Sequence, residues 1–481
     1  MSTLTQNPKP AYTCAAERGL QLPLEEVGLA TTRAVLSGMP MSEECRLSQR
    51  ARQAAEQPIS YLMHKTIARP ELISLAAGFV DAETLPVEIA AEVTEAMFAE
   101  PARGQAALQY GTTAGYLKLR EAILRRHLAA DGLADSQERF SVNQVVLTAG
   151  SNQMLHLLGE TLIDPGDIVL SASPCYFVYL GTLHNLGARM IGVAVDDDGL
   201  IPEALEAELR RLQDSGELSR VKAIYVTSYY DNPTGATLPT ERRAQIVDIA
   251  RRFRTSGIIH VIDDTAYREL GYYGDDFPSL SRFDDDGDTV IHTGSFSKSF
   301  SPGVRVGWAI LPHELVAPLC NQKGNVDFGS PCFNQHLMAT VLERNLYDGH
   351  VARIRSSYRE KLEATLEAMD QHFGRFDNVH WLKARGGLYV WVTLPEEIDT
   401  GSDGPLFQRA LDEGVLYVPG VHCYPDEGAP VQKNTLRLSF GVQSPESITT
   451  GIEALARAVA DVLSDSTSGA GASRRAGVTG A

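Results

Sequence analysis

QVVLTAGSNQMLHLLGETLIDPGDIVL occupies residues 144–170. It opens on an apolar, β-branched run at 144–148 that reads as a strand. After Ala149 and Gly150 comes a stretch, 151–163, whose Met154, Leu155, Leu157, Leu158 and Leu162 recur at helical spacing. A second strand-like run, 167–170, follows. Strand, helix, strand, with both strands apolar almost throughout, describes a parallel sheet buried on both faces. The pattern repeats downstream, with strands expected at 190–195 (MIGVAV), 221–227 (VKAIYVT), 258–262, 289–292 and 304–311. Thr240 reads as the N-cap of a helix carrying Ile246, Ile249 and Phe253.

After about residue 348 the pattern changes. A long helix (350–372) leads to shorter strands at 388–394 and 435–440 and a helix at 445–463, a smaller α+β unit. The expected organisation is an N-terminal extension (1–45), a segment contributing to the small domain (46–100), a large domain (101–347), a C-terminal small domain (348–463) and a tail (464–481). The tail is small, polar and Gly-rich, and reads as disordered.

The chain has 481 residues, 43% hydrophobic and 22% charged, so it can build a large core without disulfides. Its net charge of −18 argues against nucleic acid and anionic membrane as partners. No apolar run reaches the roughly 18 residues of a membrane span, and the N-terminal residues lack the blocks of a signal peptide. The six cysteines are scattered without a CxxC pair, so neither a zinc site nor a disulfide framework is expected. These features predict a cytoplasmic protein.

Open parallel sheets place ligands at the carboxyl ends of their strands. Read in order, those ends carry Gly150-Ser151-Asn152, Asn232-Pro-Thr-Gly235, Asp264-Thr-Ala-Tyr267 and Ser295-Phe-Ser-Lys298. Together they supply phosphate donors, a carboxylate and a lysine, the components of a pyridoxal phosphate site. Lys298 offers the amine that holds the cofactor as an imine, a task that needs a partly neutral amine. Asp264 can pair the ring nitrogen, which draws electrons only when protonated; Asp263 is expected to point elsewhere. Asn232 and Tyr267 can donate to the phenolate oxygen. Ser151 and Asn152 at a helix N-terminus, with Ser295, Ser297 and Arg305, suit the phosphate dianion. Tyr176 can stack on the pyridine face. Strand alternation places Arg437 opposite Leu436, Leu438 and Phe440, where its fork suits a carboxylate.

With these residues in order, the chain resembles the fold-type I pyridoxal phosphate enzymes, and among them the class I/II aminotransferases. It is most similar to the 2-aminoadipate and kynurenine aminotransferase subgroup, shared with the effector domains of MocR-type regulators. The likeness runs from about Glu71 to Leu463. It rests on Ile-Ser-Leu-Ala-Ala-Gly78, Tyr110-Gly-Thr-Thr-Ala-Gly115, the four strand-end motifs, Pro-Gly-Val-Arg305, Gly386-Gly-Leu-Tyr-Val-Trp and Leu-Arg437-Leu-Ser-Phe.

The resemblance implies a mostly parallel seven-stranded sheet flanked by helices, with a smaller α+β domain. It implies Lys298 as the Schiff-base lysine and α-proton carrier, passing an amino group from an L-amino acid to a 2-oxo acid through a pyridoxamine phosphate intermediate. Asp264 and Tyr267 would complete the catalytic set, and Arg437, Asn232 and the backbone near Gly78 would hold the substrate α-carboxylate. It also implies a homodimer in which Tyr110 reaches the neighbouring subunit's phosphate. Ala77, Asn152 and Cys175 depart from the family's usual residues without removing a chemical role. A β-lyase, decarboxylase or cyclising synthase would use the same cofactor contacts. A MocR-like sensor would carry a basic winged helix ahead of this region, and residues 1–70 show no basic cluster.

Overall fold

The computed structural model describes residues 46–54, 58–133, 139–255, 257–274 and 276–475. The expected extension at 1–45 and the end of the tail, 476–481, lie outside them.

Seven strands form the main sheet: β1 (Val145–Thr148), β2 (Ile168–Ser173), β3 (Arg189–Asp196), β4 (Val221–Val226), β5 (His260–Asp264), β6 (Val290–Ser295) and β7 (Gly307–Ile310). Their spatial order is β3-β2-β4-β5-β6-β7-β1. Neighbours from β3 through β6 are parallel, whereas β7 runs antiparallel to both β6 and β1. Strands β1, β2, β5 and β6 are buried at every position, because helices cover both faces.

The whole sheet counts nine strands rather than seven, since two short pairings complete one edge. Gly199–Leu200 folds back antiparallel onto β3, and Glu427–Gly428 pairs parallel to β3 from a distant part of the chain. The Glu427 carboxylate also grips Arg189 at 2.8–2.9 Å. The outer edge of β3 is thereby closed against pairing with other chains.

A second sheet has β8 (His380–Trp381), β9 (Tyr389–Thr393), β10 (Val418–Pro419) and β11 (Thr435–Ser439) in the order β8-β9-β11-β10, all antiparallel. Trp391 faces Arg437 in its register. The N-terminal segment joins this part, because Ile73–Ser74 pairs parallel with Val415–Leu416. The helices include α1 (Pro58–Ala68), α2 (Ser151–Leu162), the long α3 (Leu346–Phe373), which spans the helix expected at 350–372, and α4 (Pro445–Arg475).

Two local expectations need correction. Pro239, not Thr240, occupies the N-cap, and Thr240 begins the helix Thr240–Arg252. The α4 helix continues to Arg475, well into the stretch expected to be a disordered tail from residue 464. After Pro445 no proline interrupts that stretch, and extending an existing helix costs far less than nucleating one. No described helix is long and apolar enough to cross a membrane.

Candidate active site

The carboxyl ends of β1, β2, β4, β5 and β6 converge on a cavity of about 390 Å³, closed from the other side by α1, the Gly78 segment, Tyr389 and Arg437. After β1 the chain turns at Gly150, whose φ of +86° is open to glycine, and enters α2 at Ser151. A Cβ at Gly150 would lie 2.5 Å from Arg305 Nη2. Arg305 itself takes a left-handed backbone (φ 47°), and its guanidinium donates to the Ala149 carbonyl at 2.9 Å and to Pro302 at 3.3 Å. Ser295 Oγ donates to Ser297 Oγ at 2.9 Å. Two hydroxyls, a guanidinium and the first N–H groups of α2 thus face one corner, a site for a phosphate.

Lys298 follows β6, and its Nζ donates to the Gly78 carbonyl at 2.6 Å. Burial lowers its pKa from the ordinary lysine value; Tyr389 opposes this, and Arg437 and Arg305 add to it. Asp264 ends β5 and is buried. Its Oδ2 accepts from Tyr225 Oη at 3.0 Å and its Oδ1 from the Ala266 N–H at 3.3 Å. Burial nevertheless pushes its pKa up to about 6, beyond what those two donors offset. A cation beside it would restore the charged form. Asp263 turns away, as expected, accepting from Ser228 Oγ at 2.5 Å and the Leu280 N–H at 3.2 Å.

Arg437 is 2% exposed. It donates through Nη1 to Asn232 Oδ1 and through Nη2 to the Ala76 carbonyl, both at 2.8 Å, while its Nε finds no partner. Among the described residues no carboxylate pairs with it, so a buried cation lies exposed to the cavity and lacks a counter-charge. Asn232 Nδ2 in turn donates to Tyr267 Oη at 3.3 Å. Tyr176 lines the wall, its hydroxyl donating to Asn152 Oδ1 at 3.2 Å.

The cavity therefore brings together Gly78, Ser151, Asn152, Tyr176, Asn232, Asp264, Tyr267, Ser295, Ser297, Lys298, Arg305 and Arg437. Tyr110 is not among them. It is 80% exposed, with its ring edge-on to Phe328 at 5.5 Å. Sequence reasoning missed Tyr225, which props Asp264 from inside β4, and Tyr389, whose ring lies 4.3 Å from the Arg437 guanidinium. It also missed the apolar wall of Ile59, Met63, Phe79, Phe177 and Val178. Tyr389 lies within a quoted motif, Gly386-Gly-Leu-Tyr-Val-Trp, but an aromatic on a buried strand reads as core.

A lysine, a buried carboxylate, a corner of hydroxyls beside a helix N-terminus and an arginine with no described carboxylate partner line one cavity. The family model for aminotransferase class I and II matches residues 70–455. The chain belongs to the class I and II aminotransferases. The 2-aminoadipate transaminase of Thermus thermophilus is 33% identical over 402 residues, covering 83% of this chain and 93% of the relative. The aromatic-amino-acid aminotransferase 1 of Thermococcus litoralis is 32% identical over 403 residues, covering 83% and 90%. Among solved structures, a kynurenine aminotransferase of Pyrococcus horikoshii in complex with PMP superposes with a TM-score of 0.79 at 30% identity, covering 86% and 97%. This aminotransferase has the type I pyridoxal phosphate fold, and its cofactor is pyridoxal 5′-phosphate. The cavity fits that group: among the described residues no ion pair offsets the burial that raises the Asp264 pKa, and the Gly150 turn leaves Arg305 the room a side chain would take.

Proposed function

We propose that this aminotransferase transfers the amino group of an apolar or aromatic L-amino acid to a 2-oxo acid, with Lys298 as its covalent and proton-carrying residue. Pyridoxal 5′-phosphate, when bound, supplies a carbonyl for the amine and a ring that withdraws electrons from the α-carbon. Ser151, Asn152, Ser295, Ser297 and Arg305 hold its phosphate. Asp264 would keep the ring nitrogen protonated, Asn232 and Tyr267 would donate to the phenolate oxygen, and Tyr176 would pack against the ring. Arg437 binds the substrate α-carboxylate through its fork, which fixes the α-carbon beside Lys298. Lys298 Nζ would take up the proton that leaves the substrate α-carbon and hold it for return. Burial lowers the pKa of that amine, which favours the neutral form this work needs.

The observation that carries the reading is Arg437, a buried cation with no described counter-charge, in one cavity with Lys298. The donor class rests on the walls. Ile59, Met63, Phe79, Phe177 and Val178 form the apolar side, and the three cations lining the cavity, Lys298, Arg305 and Arg437, already have their tasks. A second carboxylate therefore meets no further described cation. The Thermococcus litoralis relative is named for aromatic donors.

Two chains pair across the face that carries Leu108, Tyr110 and Phe328, each more than 60% exposed here, so that Tyr110 reaches the partner's phosphate corner. The test is a panel of amino acids added to the holoenzyme without an acceptor, followed by absorption spectroscopy. Phenylalanine or leucine is expected to bleach the cofactor band at least tenfold faster than 2-aminoadipate or glutamate. The reverse order overturns the donor class, and no bleaching with any donor overturns the assignment of Lys298 and Arg437. Sedimentation of the holoenzyme as a monomer overturns the pairing.

A further inference from the structure

Four side chains close a ring in the cavity wall. Arg437 donates to Asn232 at 2.8 Å, Asn232 donates to Tyr267 at 3.3 Å, and Tyr267 Oη lies 3.2 Å from Tyr389 Oη. The Tyr389 ring then returns to Arg437, 4.3 Å from its guanidinium. Resting on the assignments of Tyr267 and Arg437 above, we propose that Tyr389 is a positioning residue for the reaction: its hydroxyl donates to Tyr267 and couples the carboxylate grip to the phenolate side of the cofactor.

The proton accounting singles out the hydroxyl. Tyr267 Oη has one proton and two acceptor positions. Asn232 Nδ2 fills one acceptor position. When Tyr267 directs its own O–H to the phenolate oxygen, the remaining acceptor position faces Tyr389, whose O–H fills it. A hydroxyl that accepts such a bond becomes a stronger donor in turn. Burial foremost raises the Tyr267 pKa well above that of a free tyrosine, so this hydroxyl keeps the proton it must donate.

The surroundings are shaped to seat the Tyr389 hydroxyl. A Cβ at Gly78 would come within 2.5 Å of it, so only glycine leaves the notch it occupies. The Gly78 carbonyl is the group that accepts from Lys298 Nζ. Tyr389 is 2% exposed and its ring stands edge-on to Tyr267, 78° apart, which leaves the two hydroxyls facing each other at the cavity wall. A purely packing role would need only the ring face against Arg437, and phenylalanine supplies that equally well.

Tyr389→Phe in the full-length holoenzyme separates the two roles. The bound cofactor's absorption changes with pH, and without substrate its midpoint is expected to rise by about half a unit to one unit, the worth of one ordinary hydrogen bond. The KM for donor is expected to rise about two- to fivefold, through the weakened link to Arg437. Because Tyr389 acts through Tyr267, adding Tyr389→Phe to a Tyr267→Phe variant should move the midpoint no further. A midpoint unchanged in Tyr389→Phe, or shifts that add in the double variant, would overturn the proposal and leave Tyr389 a packing residue. Should Tyr389→Phe not accumulate folded, Gly78→Ala displaces the same hydroxyl from the opposite side; the same upward shift supports the proposal and its absence overturns it. A wild-type protein with no cofactor band at all would instead sink the assignment of Lys298 on which the proposal stands.

Discussion

Replacing Asp264 by asparagine should stabilise the cofactor-free protein and disable the holoenzyme. Asparagine fits the same two contacts: its oxygen can accept from the Ala266 N–H while its amide donates to Tyr225 Oη, where the carboxylate now accepts from both. What it removes is a buried charge. Asp264 is raised from 3.8 to about 6, chiefly by burial. As pH climbs from about 4 to 6, the unfolded chain releases this proton while the folded chain retains it, so stability falls across that window. Two units correspond to about 3 kcal/mol at pH 7.5, against about 1 kcal/mol at pH 4.5. Urea midpoints of cofactor-free wild type and Asp264→Asn, measured at both pH values, should therefore diverge by about 2 kcal/mol in the variant's favour between them. With cofactor the sign reverses, because asparagine cannot hold a protonated ring nitrogen; kcat should drop about 10²-fold or more. A stability gap that does not widen with pH would refute the electrostatic reasoning. Turnover within tenfold of wild type would refute the role assigned to Asp264.

Lys298→Ala should leave the circular dichroism spectrum unchanged, abolish the covalent cofactor band and abolish turnover; retained transamination would remove Lys298 from the mechanism. Arg437→Lys keeps the charge but not the fork, so KM for donor and acceptor should both rise about 10- to 100-fold, the loss of one charge-assisted bond, with kcat changed far less; a change under threefold in steady-state kinetics would count against carboxylate binding there. Gly150→Ala sets a methyl 2.5 Å from Arg305 Nη2 at a φ of +86°, and titration should show cofactor affinity weakened at least tenfold without loss of fold. Tyr110→Phe should weaken cofactor affinity in the dimer by about 3- to 10-fold, a single hydrogen bond's worth, and equal affinity would separate Tyr110 from the phosphate.

What the linear sequence reveals about this site depends on where polar residues fall. Ser151, Asn232, Asp264 and Lys298 each come just after, or at the end of, an apolar strand, and polarity breaking out of an apolar run is conspicuous. The ends of β1, β4, β5 and β6 were legible for that reason, and with them the parallel sheet that gathers the ends at one edge. Two-residue pairings such as Gly199–Leu200 and Glu427–Gly428 are too short to show a period, so the sheet's covered edge was invisible. Tyr225 and Tyr389 were hidden by a different cause. Both lie in strands that are mostly buried, where alternation no longer separates a core face from a cavity face, and both present a hydroxyl on a ring that is otherwise good core. Their hydrogen bonds join residues 39 and 122 positions apart, to Asp264 and Tyr267. Tyr110 shows the opposite case: a motif marked it, yet the folded single chain leaves it on the surface, outside the cavity. Polar residues that line the cavity after a strand break that strand's pattern, whereas tyrosines that hydrogen-bond to them conform to the pattern of the strand they occupy. The second kind emerges only when the fold brings distant strands together.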